Sequence, residues 1–269
     1  MNVRELWDVY RAQFKTTIAE QLQYRAALII WLIGMVLEPV IYLVVWLTVA
    51  RSSGGRVGGY TGGDFAAYFI VMMLVNHATF TWIMWEYDYR IRHGELSVML
   101  LRPIHPIHSD IADNISYKLL TLTVMIPTTA GLILAFRPTW HPIPWAVLAF
   151  VPALLLAFVV RFLIEWTLAL VAFWTTRVSA INQMYFVALL FLSGQIAPLS
   201  LLPMPIQIAA TALPFRWMLA FPVELLLGRL TPREALFGFV AQGVWLVIGL
   251  VLLRAVWRAG VKLYAAVGA

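Results

Sequence analysis

The stretch IRHGELSVMLLRPIHP, residues 91–106, places charged, histidine and proline residues between two long apolar runs. A simple turn between two apolar segments needs no such organised set of polar side chains. We therefore predict that this stretch meets a soluble partner that drives the protein, and that the rest of the chain is organised around it.

A short helix is predicted inside this stretch. Gly94 begins it and Pro103 ends it, because glycine and proline commonly mark helix boundaries. Leu96, Met99 and Leu100 fall on one helical face and form an apolar ridge. Such a ridge suits a groove on a soluble protein, with charged side chains at its polar rim. The residues predicted to make this contact are Arg92, Gly94, Glu95, Leu96, Met99, Leu100, Arg102 and Pro103.

The composition indicates a membrane protein. The chain is 62% hydrophobic and 12% charged, whereas a soluble domain carries about 25% charged residues. Several continuous apolar runs are long enough to cross about 30 Å of hydrocarbon, and they lack the alternation of a β-barrel strand. The net charge of +6 fits basic residues flanking membrane spans better than it fits nucleic-acid binding. These features predict an all-α polytopic membrane protein.

Six transmembrane helices are predicted. A preceding segment, residues 1–25, repeats apolar residues at every fourth position, which favours an amphipathic helix in the membrane interface. The transmembrane domain covers residues 26–257, and residues 258–269 form a short cytoplasmic tail. The predicted spans are residues 26–50, 65–85, 117–136, 145–174, 181–196 and 235–253.

The apolar segment after the fifth span is predicted to be a re-entrant helical hairpin, residues 197–230, on the extracytoplasmic side. If it spanned the membrane, the two termini would lie on opposite sides. As a hairpin, it leaves both termini and the coupling segment, residues 90–114, on one face, with twelve lysines and arginines against six, so that face is cytoplasmic. The glycine and prolines that break the hairpin are Gly194, Pro198, Pro203 and Pro205.

Motifs for catalysis are missing. The chain has no cysteine, so it has no disulfide and no thiolate metal site. It contains no Walker A sequence. His105 and His108 lack a third ligand, so no metal site is predicted. Ser109 and Asp110 are expected to cap the helix that follows. We therefore predict that the chain is not an enzyme and binds no cofactor of its own.

Four ionisable residues lie within the predicted spans: Glu38, His77, Arg161 and Glu165. Charged groups at this depth are costly and need partners. Arg161 and Glu165 are four residues apart on one helical face and can pair. The pair either braces its helix or lines a polar transport path. Glu38 is a second possible partner of Arg161, and His77 is expected to be satisfied by neighbouring helices.

Two motifs carry a family resemblance. The pattern I-R-x-G-E-L-x-x-x-L-L-R-P-I at residues 91–104 resembles the segment between spans 2 and 3 of ABC-2 type exporter permeases, in their small six-span branch. The break at residues 192–194, followed by PLSLLP at 198–203, resembles the re-entrant hairpin of the same family.

The resemblance implies a place in a larger complex. Two separate ATPase subunits would hold ATP and Mg²⁺, and a second permease subunit, identical or a paralogue, would complete the pathway. The helix between residues 94 and 103 would be a coupling helix lodged in the ATPase, and transport would follow alternating access. The location implied is a bacterial or archaeal cytoplasmic membrane, with both termini cytoplasmic.

Two rival functions stay open on sequence grounds. An intramembrane lipid-modifying enzyme needs convergent ionisable residues, and only Glu38, His77, Arg161 and Glu165 are available at depth. A transporter driven by an ion gradient would favour internal repeats with matching broken helices, and no repeat is evident. The cargo is not indicated by any motif.

Overall fold

The computed structural model describes residues 3–175 and 177–264, and 82% of the structure is helical. Short 3₁₀ turns, Leu170–Phe173 and Leu199–Leu201, extend or connect these helices. The α-helices in chain order are α1 (Val3–Gln23), α2 (Arg25–Ser52), α3 (Gly62–Thr79), α4 (Ile83–Arg92), α5 (Glu95–Leu100), α6 (Pro106–Phe136), α7 (Pro144–Ala169), α8 (Val178–Leu192), α9 (Met204–Ala212), α10 (Phe215–Met218), α11 (Ala220–Leu226) and α12 (Pro232–Leu263).

Five stretches in the described part of the chain are long and apolar enough to cross a membrane. The predicted fifth span is occupied by α8, which has 15 residues. At about 1.5 Å per residue, α8 is shorter than the hydrocarbon core of a bilayer. The helical class is therefore confirmed, whereas the six-span layout stays a prediction. The five stretches are Ile29–Ser52, Gly62–Arg92, Pro106–Phe136, Pro144–Phe173 and Pro232–Leu263.

The glycine-rich connection between α2 and α3 is more ordered than a flexible loop. Two short strands, β1 (Arg56–Val57) and β2 (Tyr60–Thr61), pair in antiparallel fashion. Gly58 and Gly59 join them with φ angles of +55° and +84°, the left-handed conformations that a tight hairpin requires. The hairpin leads directly into α3, which starts with a capping box formed by the Thr61 and Asp64 side chains.

The second span is broken, although the sequence predicts one continuous helix over residues 65–85. Helix α3 ends at Thr79, and α4 begins at Ile83. The backbone groups freed by this break lie inside the protein, where they need partners from neighbouring helices.

The third long helix starts earlier than expected. Its first residue is Pro106, and the His105 side chain caps it by accepting a hydrogen bond from the Ile107 backbone N–H at 3.2 Å. Ser109 and Asp110 lie within the helix, so the prediction that they cap it is wrong. Proline suits a first helical position because it has no N–H to leave unsatisfied.

The core forms around α3, which is enclosed by α2, α6, α7 and α11. Phe65, Tyr68 and Val75 of α3 are fully buried. The segment after α8 folds back as three short helices, and α11 packs on α3 and α7. The Tyr68 hydroxyl donates to the Gly194 carbonyl at 2.8 Å, and Gly194 has a φ of +85°. This bond ties the start of the segment between α8 and α12, hereafter the returning segment, to the core helix α3.

Close contact between α11 and α12 depends on Gly238. A Cβ atom at this position would lie 2.1 Å from Cε2 of the buried Phe221 ring. We predict that Gly238→Ala destabilises the protein by about 1–3 kcal/mol, because the core must shift to accept the methyl group. A lowered thermal midpoint of the detergent-solubilised protein would report this loss.

Gly243 on the same helix is the matched control, because a Cβ atom added there would have no other atom within 4 Å. Gly243→Ala should leave the thermal midpoint unchanged or raise it slightly, since alanine has the higher helix propensity. Equal midpoints for the two alanine variants would contradict the packing argument.

Candidate functional site

The coupling segment leaves α4 through a sharp turn. Gly94 has a φ of +75°, which glycine adopts without steric cost. The Ser97 hydroxyl donates to the Gly94 carbonyl at 2.5 Å, and the Ser97 backbone N–H donates to the Tyr264 hydroxyl at 3.2 Å. Helix α5 is therefore held at its start by its own turn and by the residue that follows α12.

The apolar ridge predicted on α5 faces the protein. Leu96 is fully buried, and Met99 and Leu100 pack against the same core. The expectation that Leu96 presents this ridge to a partner is therefore wrong, whereas Met99 and Leu100 are partly exposed and stay predicted contacts. The outward apolar side chains are Val98, which is 57% exposed, and Leu101, which is 87% exposed. Helical spacing groups the ridge residues correctly, but the side of α5 that meets the core is set by elements outside it.

The charged residues predicted for this segment, and the proline that ends it, lie at its surface. Glu95, Arg102 and Pro103 are exposed. Arg92 forms an ion pair with Asp88, one turn earlier on α4, at 2.7 Å between Nε and Oδ1, and its side chain is 43% exposed. The surface of the segment thus combines two outward apolar side chains with charges of both signs.

Asp110 fastens α4 to the membrane helices, a role that sequence reasoning missed. Its carboxylate is buried and accepts hydrogen bonds from the Tyr87 hydroxyl at 2.9 Å and the Trp166 indole N–H at 2.8 Å. Arg90 contributes an ion pair at 2.6 Å. These contacts join α4, α6 and α7. The signal in the sequence is an acidic residue at the start of a long apolar helix, and a helix cap gives the same signal.

The N-terminal helix packs along the start of α6. The Gln13 amide donates to Asp113 at 2.9 Å, and the Thr17 hydroxyl also donates to Asp113. A hydrogen bond joins the Tyr10 hydroxyl and His108 Nδ1 at 3.1 Å. Asp113, one helical turn after Asp110, is therefore a structural anchor for α1.

The predicted pair of Arg161 and Glu165 is present, with 2.7 Å between Nε and Oε1. Arg161 is 1% exposed and Glu165 is 0% exposed. Arg161 also donates to the Asn76 side chain at 2.8 Å and to the Thr79 hydroxyl at 3.0 Å. Each hydrogen bond offsets part of the cost of burying the charge.

Glu165, the other member of the ion pair, contacts the break between α3 and α4 through Thr81. It accepts a hydrogen bond from the Tyr185 hydroxyl at 3.0 Å and another from the Thr81 hydroxyl. The Lys118 ammonium donates to the Phe80 carbonyl at 2.7 Å. The ion pair and Lys118 therefore supply partners on both sides of the break between α3 and α4.

The other two intramembrane candidates lie apart from the pair. A hydrogen bond of 2.9 Å joins His77 Nε2 to the Thr121 hydroxyl. Glu38 does not pair with Arg161, contrary to the alternative considered from sequence. It is exposed and accepts a hydrogen bond of 3.4 Å from the Tyr42 hydroxyl. Glu38 and Arg161 nevertheless line one cavity of about 310 Å³.

The returning segment carries its own ion pairs. Arg216 and Glu224 are 3.1 Å apart between Nη2 and Oε2. The Arg229 guanidinium lies 3.7 Å from the centre of the Tyr60 ring and 3.3 Å from the Asp64 carboxylate. The Arg229 contacts attach the segment to the β-hairpin and to the start of α3, whereas the ion pair of Arg216 and Glu224 lies within the segment. The three prolines predicted in this segment lie where helical elements begin. Pro198 precedes a 3₁₀ turn, Pro203 precedes α9, and Pro205 lies in the first turn of α9.

Long apolar helices, a buried ion pair and an organised polar segment between two spans define a multi-pass helical membrane protein. The family described as ABC-2 family transporter protein matches residues 36–268, and the chain belongs to that family. Such proteins are membrane components of ABC transporters, generally not themselves catalytic, and they generally work with ATP-binding subunits in a membrane complex. A comparison with curated proteins finds no match.

The buried ion pair yields a stability prediction. Arg161→Leu leaves Glu165 as an uncompensated buried charge, so we expect a loss of about 3–5 kcal/mol and a sharp fall in folded yield. The double variant Arg161→Leu/Glu165→Leu removes both charges and should recover most of the lost stability. Fluorescence-detected size-exclusion chromatography after graded heating measures both. A single variant as stable as the wild type would contradict the structural role of the pair.

Proposed function

We propose that the chain is the permease subunit of an exporter and that separate ATPase subunits drive it through α5. The observation that carries this proposal is the two-sided packing of α5. Leu96 is anchored in the core, while Val98 and Leu101 face outward. An exposed apolar pair on a short anchored helix is suited to a groove on a soluble partner.

The connections of α5 support a mechanical role. Helix α4 leads into it through the turn at Gly94, and Arg90 and Tyr87 of α4 are bound to Asp110 of α6. A displacement of α5 is therefore transmitted through α4 to α6 and α7 rather than being absorbed by a loose loop. The far end of α4 is held through Thr81 and Glu165, so the displacement reaches the break in the second span.

The energy source in this proposal is external to the chain. Two ATPase subunits bind ATP and Mg²⁺, and their closure draws the coupling segments together. A second permease, identical or a paralogue, provides the other half of the pathway. Moving a two-state gate from 1:99 to 99:1 takes about 5.5 kcal/mol of differential binding. Alternating access then carries cargo out of the cytoplasm or inner leaflet.

The proposed orientation follows from charge. The chain lies in a bacterial or archaeal cytoplasmic membrane, with α5 and both termini on the cytoplasmic face and the re-entrant segment on the other. The lysines and arginines assigned to the two faces from the sequence favour this arrangement, twelve against six, with Lys118 at the start of the third predicted span counted as cytoplasmic. The six on the extracytoplasmic side are Arg51, Arg56, Arg137, Arg216, Arg229 and Arg233.

Leu101 provides the sharpest test of the partner surface. We expect Leu101→Asp to reduce co-purification of the ATPase with the permease at least tenfold, because the charge would be buried in an apolar contact. Leu101→Met keeps an apolar side chain and is the matched control. Affinity capture of the tagged permease, with ATPase quantified against permease, gives the result.

Leu96→Asp distinguishes the two sides of the helix. It places a charge in the core, so it should lower the folded yield of the permease itself. ATPase retained at wild-type stoichiometry on a well-folded Leu101→Asp permease would refute the proposed docking surface.

A further inference from the structure

Glu38 is a carboxylate near the middle of the apolar stretch Ile29–Ser52. Insertion scales assign a charge at a helix centre a cost of about 2.5–3.5 kcal/mol. Among the described residues, its hydrogen-bond partner is the Tyr42 hydroxyl at the long distance of 3.4 Å. Arg161 and Glu165 differ from it, since they satisfy one another. Within the described part of the chain, Glu38 thus lacks the counter-charge that a carboxylate at membrane depth needs.

Glu38 lines the cavity of about 310 Å³ between α2, α3, α7 and α8. The volume lies at the lower end of the range for small-molecule sites. Two aromatic rings, Phe80 and Phe186, contribute to its walls, and the Gln195 amide adds a polar group. The complete lining is Glu38, Asn76, Phe80, Arg161, Phe186, Val187, Leu189, Leu190 and Gln195.

The charge balance of the cavity selects the sign of its ligand. Arg161 contributes a guanidinium, but its charge is compensated by Glu165 at 2.7 Å. Among the residues that line the cavity, the uncompensated charge is therefore the negative charge of Glu38; the Lys118 ammonium, bound to the Phe80 carbonyl, is not part of the lining. Aromatic faces also attract cations through their quadrupoles. A bare divalent metal ion would require about six or more oxygen ligands, whereas most of this lining is apolar.

We infer that this cavity binds cargo of one chemical class, an amphipathic organic cation. Its charged group pairs with Glu38, its apolar body lies against Phe80, Phe186 and the leucines of α8, and Gln195 contributes a hydrogen bond. This inference rests on the proposed function, because it assigns a cargo class to that transport pathway. Lateral entry from the lipid suits such a molecule, since Glu38 lies on the exposed side of α2.

The test uses the complex of permease and ATPase in lipid nanodiscs. The probe is tetraphenylphosphonium, with the neutral triphenylphosphine oxide as its matched comparison, and equilibrium dialysis gives both affinities. Glu38→Gln should weaken tetraphenylphosphonium binding at least tenfold and should not weaken triphenylphosphine oxide binding, because the glutamine amide removes the charge but can still donate a hydrogen bond. Glu38→Asp, which keeps the charge, should retain most of the affinity. Thr48→Val is the control on the exposed face of the same helix.

Any one of four results would overturn the inference. The wild-type complex fails to bind tetraphenylphosphonium, or Glu38→Gln binds it as the wild type does, or the neutral probe loses as much affinity as the cation. A fourth overturning result is separation of two permease copies by Glu38→Gln, because the carboxylate would then be a packing residue. Co-purification of the ATPase is measured in parallel, so failure of this site is distinguishable from failure of the coupling surface.

Discussion

The buried pair of Arg161 and Glu165 is the interaction on which the arrangement of the helices depends. A lone charge at this depth would be strongly destabilising, so each member requires its neighbours to be in place. Asn76 and Thr79 accept hydrogen bonds from the Arg161 guanidinium, while Tyr185 and Thr81 donate hydrogen bonds to the Glu165 carboxylate. Helices α3, α7 and α8 are held in one register by these hydrogen bonds, and α4 joins them through Thr81.

The same constraint explains why the break in the second span is tolerated. Backbone groups released at residues 80–82 are acceptable at membrane depth only where protein surrounds them. Lys118 binds the Phe80 carbonyl, and the ion pair holds the side chains on either side. Helix α4 is consequently a short rigid element, held by Thr81 at its start and by Asp110 near its end. This geometry connects the surface around Leu101 with the polar interior.

Prediction from sequence succeeds where the relevant interaction is local. Arg161 and Glu165 are paired correctly because residues four apart on a helix are neighbours in any fold. Prediction fails where the partner is distant in the chain. Asp110 resembles a cap in the sequence, but Tyr87 and Trp166 bind it from other helices. Leu96 is wrongly expected at the surface because helical periodicity gives the faces of a helix without saying which one meets the core.

The sequence by itself determined the membrane class, the approximate positions of the long helices and the polar segment between two of them, because apolar length and local spacing control these features. Only the tertiary structure decided that Leu96 packs into the core while Leu101 is exposed. It also decided that Asp110 anchors α4, and that Glu38 lies apart from Arg161 rather than paired with it. These outcomes depend on side chains brought together from separate helices. Burial and charge compensation are properties of that assembled environment, which no single segment of the chain contains.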